Sequence, residues 1–258
     1  MVLLAAAWSV FEAGWVRLRE LEVVVPGLPP ELDGLRIAHL SDFHLGVPSR
    51  GIFAIMRAVD WVVEREPDLT VVTGDLLSRP RGAERLDELL RTLDHPYVVL
   101  GNHDFADSRD PFSKESNLTE FAHGTLMFDK AATKEIRGRR IELWGVDPRT
   151  WAKGGSMTFP PSYADLRILL CHFPRVLDKL PPDRFQLVLS GHVHAGQIVI
   201  PYGFGKLNLA HPRARYSSGI YRREGTVMHV SPGLGTTFVP FRLFARPEAT
   251  ELTLRSAP

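Results

Sequence analysis

The sequence predicts an α/β layered fold, because short apolar runs alternate with segments of helical periodicity. The runs at 35–40, 69–73 and 97–100 are rich in β-branched and other apolar residues, which predicts strands. Between them, 52–66 and 84–93 carry apolar residues at spacings of three and four, which predicts amphipathic helices. Strands that alternate with helices are typical of α/β proteins, in which ligands bind beyond the carboxyl ends of the strands.

The second half of the chain is richer in strands and turns than the first. Residues 132–146 predict a hairpin about Gly138, and 118–121 predict a short helix. Further strands are predicted at 21–25, 167–170, 185–189, 198–200, 227–230 and 251–254. The 258 residues are 44% hydrophobic, which is enough for one sizeable core, so we expect a single domain at 21–258.

Side chains for this core can be proposed from the helical spacing. In the first of the two helices, the predicted buried stripe is Ile52, Ile55, Met56, Val59 and Val63. In the second it is Leu86, Leu89, Leu90 and Leu93. Phe53, Trp61 and Phe185 are also expected in the core.

Composition argues against one kind of partner and excludes one kind of scaffold. The formal net charge is +1, so no general field attracts nucleic acid, and none is expected as a partner. Cys171 is the one cysteine, which excludes an internal disulfide and therefore a disulfide-stapled scaffold. No obligate protein partner is evident from the sequence.

In the N-terminal segment 1–20, the apolar run extends only from Met1 to Phe11 before Glu12 interrupts it. This run is too short to be predicted as a spanning helix, which needs about 20 apolar residues. Two interpretations stay open. The segment is a helix packed on the domain, or it is a membrane anchor in which Trp8 and Trp15 suit the headgroup layer. The expected location is cytoplasmic or peripheral at the cytoplasmic membrane, and export to the cell envelope is not excluded.

Five polar clusters follow predicted strands, and they are the most informative feature of the chain. They are Asp42-Phe43-His44, Gly74-Asp75, Gly101-Asn102-His103-Asp104, Cys171-His172 and Gly191-His192-Val193-His194. Together they supply carboxylates, an amide oxygen and imidazoles, which are ligands for hard to borderline divalent metals. The sequence therefore predicts a metal site at the ends of the strands.

Spacing within the clusters suggests individual roles, each with a plain structural alternative. Asp42 and His44 can hold one ion together, or they are a turn-capping aspartate beside a chance histidine. Asp75 is the candidate bridge between two ions, or an N-cap. His192 and His194 project to one side and can reach two neighbouring ions, or they are paired loop histidines.

The tetrapeptide at 101–104 is the most specific of these motifs. The carbonyl oxygen of Asn102 can ligate a metal without adding charge. His103 is then free to face the scissile group as an acid or charge stabiliser, with Asp104 fixing its orientation. A polar turn is the structural alternative.

The other polar residues have weaker contexts. Cys171 is interpreted as a small buried hydrophobe. The remaining histidines are interpreted as structural or surface residues: His39, His95, His123, His211 and His229. The basic and aromatic segment 202–223 either grips phosphate or a headgroup, or is a solvated loop. Its charged and aromatic residues are Lys206, Arg213, Arg215, Arg222, Arg223, Tyr202, Phe204, Tyr216 and Tyr221.

The five clusters, in this order, resemble the calcineurin-like metallophosphoesterase superfamily. The flanks at 35–46, 231–235, 242–243 and 246–248 are similar to bacterial phosphodiesterases of the YkuE/YaeI type, a branch related to UDP-2,3-diacylglucosamine hydrolases. The resemblance implies a four-layer α/β/β/α sandwich of two mixed sheets flanked by helices. It also raises the expectation of a membrane-associated N-terminus.

The resemblance further implies which residues hold metal. Asp42, His44, Asp75 and His194 would hold the first ion. Asp75, Asn102, His172 and His192 would hold the second. His103 would lie near the leaving group, supported by Asp104. Two divalent ions per chain are expected, from among Mn, Fe and Zn, with Mn favoured.

The implied activity is metal-dependent hydrolysis of a phosphodiester or pyrophosphate, by a hydroxide shared between the two ions. A lipid or a cell-envelope nucleotide-sugar is the favoured substrate, with peripheral membrane contact. The alternatives are a non-catalytic binding module of the same fold, and a phosphomonoesterase or nuclease.

Overall fold

Two six-stranded sheets pack face to face, with helices on the outside, in the computed structural model, which describes residues 2–152, 158–203 and 205–257. The α-helices are α1 Val2–Gly14, α2 Gly51–Arg65, α3 Ala83–Thr92 and α4 Pro148–Ala152. The strands of the first half are β1 Arg17–Val25, β2 Arg36–Leu40, β3 Leu69–Thr73, β4 Tyr97–Val99, β5 Thr125–Leu126, β6 Lys130–Ile136 and β7 Arg139–Gly145. Those of the second half are β8 Leu166–Leu170, β9 Leu187–Ser190, β10 Val199–Tyr202, β11 Gly205–Asn208, β12 Gly219–Arg223, β13 Thr226–Val230 and β14 Glu248–Ser256.

Both large sheets are mixed. The first has the order β1-β14-β2-β3-β4-β5, and only the β14–β2 pair is antiparallel. The second has the order β12-β13-β9-β8-β7-β6, with antiparallel pairs at its two edges. Strands β10 and β11 form a separate hairpin. The predicted sandwich of two mixed sheets is therefore confirmed, and so is the predicted hairpin about Gly138.

Three apolar layers hold the sandwich together. The middle layer lies between the sheets, where Ile37 and Val71 of the first meet Ile168 and Leu189 of the second. Helices α2 and α3 cover the outer face of the first sheet. The outer face of the second is covered by a 3-10 helix at Pro174–Asp178 and by neighbouring loops.

Five parallel strands of the two sheets deliver the polar clusters to one edge of the sandwich. In the first sheet, β2, β3 and β4 run side by side in parallel register, and a cluster follows each of them. In the second sheet, β8 and β9 do the same. Because the carboxyl ends of parallel strands meet at one edge, clusters that are far apart in sequence converge there.

The buried face of α2 differs from the predicted stripe. Ile55 and Val59 are buried as expected, but Met56 and Val63 are exposed. The face toward the sheet is instead completed by the small and β-branched residues Ala54, Ala58 and Val62. Small alanines let a helix approach the sheet closely, so counting only large apolar residues misplaced the face. Phe53, expected in the core, is 56% exposed.

The short helix predicted at 118–121 is wrong, because this segment has no regular structure. The preceding loop is held by backbone hydrogen bonds from Lys114 to Ser78 and from Ser116 to Asp104. Asn117 has a left-handed φ of 49°, which ends any helical continuation. Leu118 and Phe121 nevertheless pack against the layer under α2 and α3.

Helix α1 lies against the domain with its polar residues inward. The carboxylate of Glu12 accepts backbone N–H hydrogen bonds from Phe244 and Ala245, at 3.0 and 2.8 Å. The opposite side of α1 exposes large apolar side chains, among them Leu3, Leu4, Trp8 and Phe11. Within the described part of the chain, none of the helices combines the length and apolar character needed to cross a bilayer.

A pair of buried histidines joins the two sheets. His39 of β2 and His229 of β13 share a hydrogen bond of 2.7 Å between their Nδ1 atoms, and Nε2 of His39 lies 2.9 Å from Oγ1 of Thr73. Burial lowers the pKa of His229 to about 3 and holds the pKa of His39 well below its usual value. Both rings are therefore neutral in the folded protein at physiological pH.

The buried histidine pair predicts that the folded protein loses stability as the pH falls. The pKa of His229 is depressed in the folded state, so the unfolded chain binds more protons below pH 6.5, and stability falls as the pH falls. From pH 7.5 to 5, we expect this site to remove about 2 kcal/mol from the free energy of unfolding. His229→Asn should lessen that pH-dependent loss by a similar amount in urea unfolding with chelator present. An equal pH dependence in wild type and variant would contradict this, and exposed His95→Asn is the control.

Candidate metal centre

The backbone after each strand holds the candidate ligands in an unusual conformation. Five of them have left-handed φ angles between 49° and 77°: Asp42, His44, Asp75, His192 and His194. Such a conformation costs a non-glycine residue roughly 1 kcal/mol or more, and it persists where the surrounding structure enforces it. Strain of this kind clusters at functional sites, which independently marks this edge of the sandwich.

Gly101 and Gly191 allow the segments at the centre to approach closely. A Cβ atom on Gly101 would collide with the carboxylate of Asp75, and one on Gly191 would collide with Ser41 and Asp42. Only glycine leaves that space free. This explains why these two motifs begin with glycine.

A first group of donors converges from both sheets. Side-chain donor atoms of Asp42, His44, Asp75 and His194 all lie within 4.8 Å of one another, and all four residues are buried. Nε2 of His44 lies 3.0 Å from Nε2 of His194 and 3.5 Å from Oδ2 of Asp75. Two carboxylates and two imidazoles at these separations suit one divalent cation.

A second group shares Asp75 with the first. Donor atoms of Asp75, His172 and His192 also lie within 4.8 Å of one another. Nε2 of His172 lies 3.2 Å from Oδ2 of Asp75 and 3.2 Å from Nδ1 of His192. Nδ1 of His172 lies 2.8 Å from the carbonyl oxygen of Thr73, which places its proton there and leaves Nε2 available as a ligand.

Asn102 provides a separate test of whether a metal fits. Its amide nitrogen donates to the carbonyl oxygen of Asp107 at 3.0 Å, which fixes the orientation of the amide. Its Oδ1 is buried and has no hydrogen-bond partner within the described residues. A buried acceptor without a partner is costly, and a bound cation would satisfy it. The residues present therefore fit a metal.

Most imidazoles of the centre are in the neutral state that metal ligation requires. Burial lowers the pKa of His44 to about 3, and it holds the pKa values of His192 and His194 well below their usual range. These rings are unprotonated at neutral pH, as ligation requires. For His172, burial also lowers the pKa, but the carboxylates of Asp75 and Asp42 together outweigh it and raise the pKa to about 9. A cation would displace the proton on its Nε2.

The carboxylates of the centre repel each other in a buried environment. Burial, and secondarily the charge of Asp75, raises the pKa of Asp42 to about 7. For Asp75, burial acts in the same direction but is outweighed by His172 and neighbouring imidazoles, so its pKa is lowered. A cation between them would remove this repulsion.

His103 lies beside the donors but outside both groups. Its ring is buried and stands edge-on to that of His44, with 4.7 Å between the ring centroids. Its backbone N–H donates to Oδ1 of Asp75 at 2.8 Å, and Oγ of Ser108 lies 3.5 Å from its Nδ1. A ring that is close to the ligands and not engaged by them is available to a substrate.

The expectation that Asp104 orients the ring of His103 is wrong. The Asp104 carboxylate accepts three backbone N–H hydrogen bonds, from Gly101, Leu76 and Leu77, at 2.9, 3.3 and 2.8 Å. It thereby joins the loops that follow β3 and β4, and its role is structural. The sequence did not show this, because the partners are backbone groups brought close only by the parallel pairing of the two strands.

Two further side chains contact the ligands and were missed from the sequence. Arg242 is fully buried, and its Nη2 lies 3.1 Å from Nδ1 of His194 while its other nitrogens donate to backbone carbonyls. Oγ of Ser78 lies 3.1 Å from Nδ1 of His44. Arg242 begins one of the flanks that carry the family resemblance, but nothing in the local sequence marks either residue as a neighbour of the ligands.

His211, interpreted from the sequence as a structural or surface residue, lies beside the centre, with its ring centroid 5.1 Å from that of His192. It belongs to the basic segment 202–223, whose members separate in the structure. Arg213 and Arg215 line a cleft beside His192, whereas Arg222 donates to the carbonyl oxygen of Val24. Phe204 lies outside the described residues. Cys171 is buried as expected, and burial raises the pKa of its thiol to about 12.

Residues 35–196 match the family model of the calcineurin-like phosphoesterases, and the chain belongs to that family. It is therefore a metallophosphoesterase by family, with a buried Asp/His cluster compatible with a divalent metal.

Three relatives illustrate the match. A transmembrane protein with metallophosphoesterase domain from Danio rerio is 33% identical, covering 92% of this chain and 57% of the relative, so the chain spans little more than half of that protein. The metallophosphoesterase YkuE of Bacillus subtilis (strain 168) is 29% identical over 89% of this chain and 82% of the relative. An Aquifex aeolicus (strain VF5) metallophosphoesterase is 28% identical, covering 99% and 98%.

Proposed function

We propose that the protein is a dinuclear metal-dependent phosphodiesterase. The observation that carries the proposal is that Asp75 belongs to both donor groups. Asp42, His44, Asp75 and His194 would hold one divalent ion, and Asp75, Asn102, His172 and His192 would hold the other. Mixed carboxylate, amide and imidazole ligands suit Mn, Fe and Zn. Of the three, Mn is our first choice.

Bound divalent ions would supply a nucleophile at neutral pH and neutralise charge on the phosphoryl oxygens. The chain's own residues shield the centre and act on the leaving group. The imidazoles and carboxylates of the centre are largely buried, which limits the access of water to them. His103 stabilises or protonates the leaving oxygen, which is typically worth 10²–10⁴-fold in rate.

The favoured substrate is an amphiphilic phosphodiester or pyrophosphate, such as a lipid or a cell-envelope nucleotide-sugar. An apolar cleft of about 300 Å³ supports this, since Phe112, Phe238 and Val239 line it together with Arg79 and Arg81. Asp110 lines the same cleft, and its backbone N–H donates to Oγ of Ser108 at 3.0 Å, an atom 3.5 Å from Nδ1 of His103. These contacts support a cleft on the His103 side of the centre. The relation to UDP-2,3-diacylglucosamine hydrolases stays a prediction.

A peripheral position at the membrane would bring the protein to such a substrate. Leu3, Leu4, Trp8, Phe11 and Phe244 form an exposed apolar surface on α1 and the loop against it. The guanidinium of Arg246 stacks on the ring of Trp15 at 3.6 Å, which places a cation beside these aromatic residues. Aromatic and cationic side chains of this kind suit the headgroup layer.

The proposal is tested by metal analysis combined with a diester assay. Purified protein loaded with Mn should hold about two ions per chain and hydrolyse bis(p-nitrophenyl) phosphate. A chelator should remove the activity, and added Mn should restore it. Fully loaded protein that leaves diesters intact would contradict the proposal and favour a non-catalytic binding module.

A further inference from the structure

A second cleft opens on the His192 side of the centre, and it is strongly basic. It measures about 440 Å³, and Trp151, Phe173, Arg175, His211, Arg213 and Arg215 line it with His192 at one end. Its described lining includes no aspartate or glutamate. Three arginines and two histidines therefore face one concave surface without a carboxylate among them.

The arginines of this cleft differ in whether they already pair with a carboxylate. Arg215 is paired with Asp178, whose Oδ1 lies 3.0 Å from Nη1 of Arg215 and also accepts a hydrogen bond from the hydroxyl of Tyr216. Arg175 and Arg213 are exposed, and neither makes a side-chain hydrogen bond or an ion pair with the described residues. Two guanidinium groups are thus free to bind an anion.

The position of the cleft decides which anion it would take. His192 is both a member of the second donor group and part of the wall of the cleft. The rings of Phe173 and His211 lie 4.7 and 5.1 Å from that of His192, measured between centroids. A group attached to a phosphoryl bound at the donors would therefore enter the cleft directly.

We infer that this cleft binds a second phosphate, adjacent in the substrate to the phosphoryl group held at the metal centre. Arg175 and Arg213 would bind its oxygens, because guanidinium groups match phosphate geometry and stay charged. Trp151 and Phe173 offer flat apolar walls to the group beyond it. The inference rests on the proposed function and narrows the substrate class to pyrophosphate diesters over simple phosphodiesters.

Calorimetry of two nucleotides tests this without relying on turnover. The probes are AMP and α,β-methylene-ADP, titrated into Mn-loaded protein with equal Mn in both solutions. Wild type should bind the diphosphate about tenfold or more tightly than AMP. Arg175→Gln and Arg213→Gln should each reduce that preference several-fold, and the double variant should abolish it.

Arg57→Gln is the matched control, because it makes the same change at an exposed arginine of α2, on the outer face of the first sheet, and should keep the preference. Equal affinity of wild type for the two nucleotides would overturn the inference, as would a preference that survives in the double variant. If the preference follows the arginines but diesters are not hydrolysed, the cleft assignment stands and the proposed activity fails.

Discussion

Replacing Asp75 by asparagine should remove both metal binding and turnover. We expect a loss of diester hydrolysis on the order of 10³-fold or more, because both donor groups share this carboxylate. Asparagine keeps the size of the side chain and one oxygen, which can still accept the N–H of His103. The fold should therefore persist while the negative charge between the two groups is lost.

The measurement combines metal content per chain with kcat for bis(p-nitrophenyl) phosphate. Asp60→Asn on the exposed side of α2 makes the same chemical change far from the ligands, and it should leave both quantities unchanged. An Asp75→Asn protein with two ions and wild-type turnover would show that another group connects the metals. Circular dichroism of the variant separates a lost site from a lost fold.

The sequence predicted the central strands of this protein because their residues are buried on both faces. β3, β8 and β9 lie inside the sandwich, so their runs of Val, Leu and Ile are nearly continuous and easily detected. Strands β5, β11 and β12 escaped prediction. Strand β5 is only two residues long, and β11 and β12 are largely exposed or half-buried, so their sequences carry no comparable apolar signal.

The convergence of the ligands was also predictable, and the structure shows why. Each candidate ligand directly follows a parallel strand, and the rule that such ends share an edge needs only the order of the elements. What the sequence could not show is which neighbours the ligands acquire. Arg242 reaches His194 across 48 residues of chain, and Asp104 reaches backbone groups after β3 instead of its own neighbour His103.

The partner of His103 also could not be identified from the sequence, because it is set by neighbours in space. Sequence proximity favoured Asp104 as the partner of His103, whereas the structure gives that place to Ser108, whose Oγ lies 3.5 Å from Nδ1. A serine hydroxyl orients an imidazole without adding charge to it. His103 would therefore act with a hydroxyl group, and not the Asp104 carboxylate, beside its Nδ1.

His103→Asn is consequently expected to separate chemistry from metal binding. The variant should keep two ions per chain, because His103 belongs to neither donor group, and lose about 10²–10⁴-fold in kcat.

If His103 protonates the leaving oxygen, the loss should be large for a poor leaving group, such as a phenyl ester, and much smaller for p-nitrophenolate, which needs little protonation. Equal losses for both leaving groups would instead assign the ring to charge stabilisation on the phosphoryl oxygens. His95→Asn makes the same change at an exposed histidine outside both donor groups and is the control. A His103→Asn enzyme as active as that control would remove His103 from the mechanism.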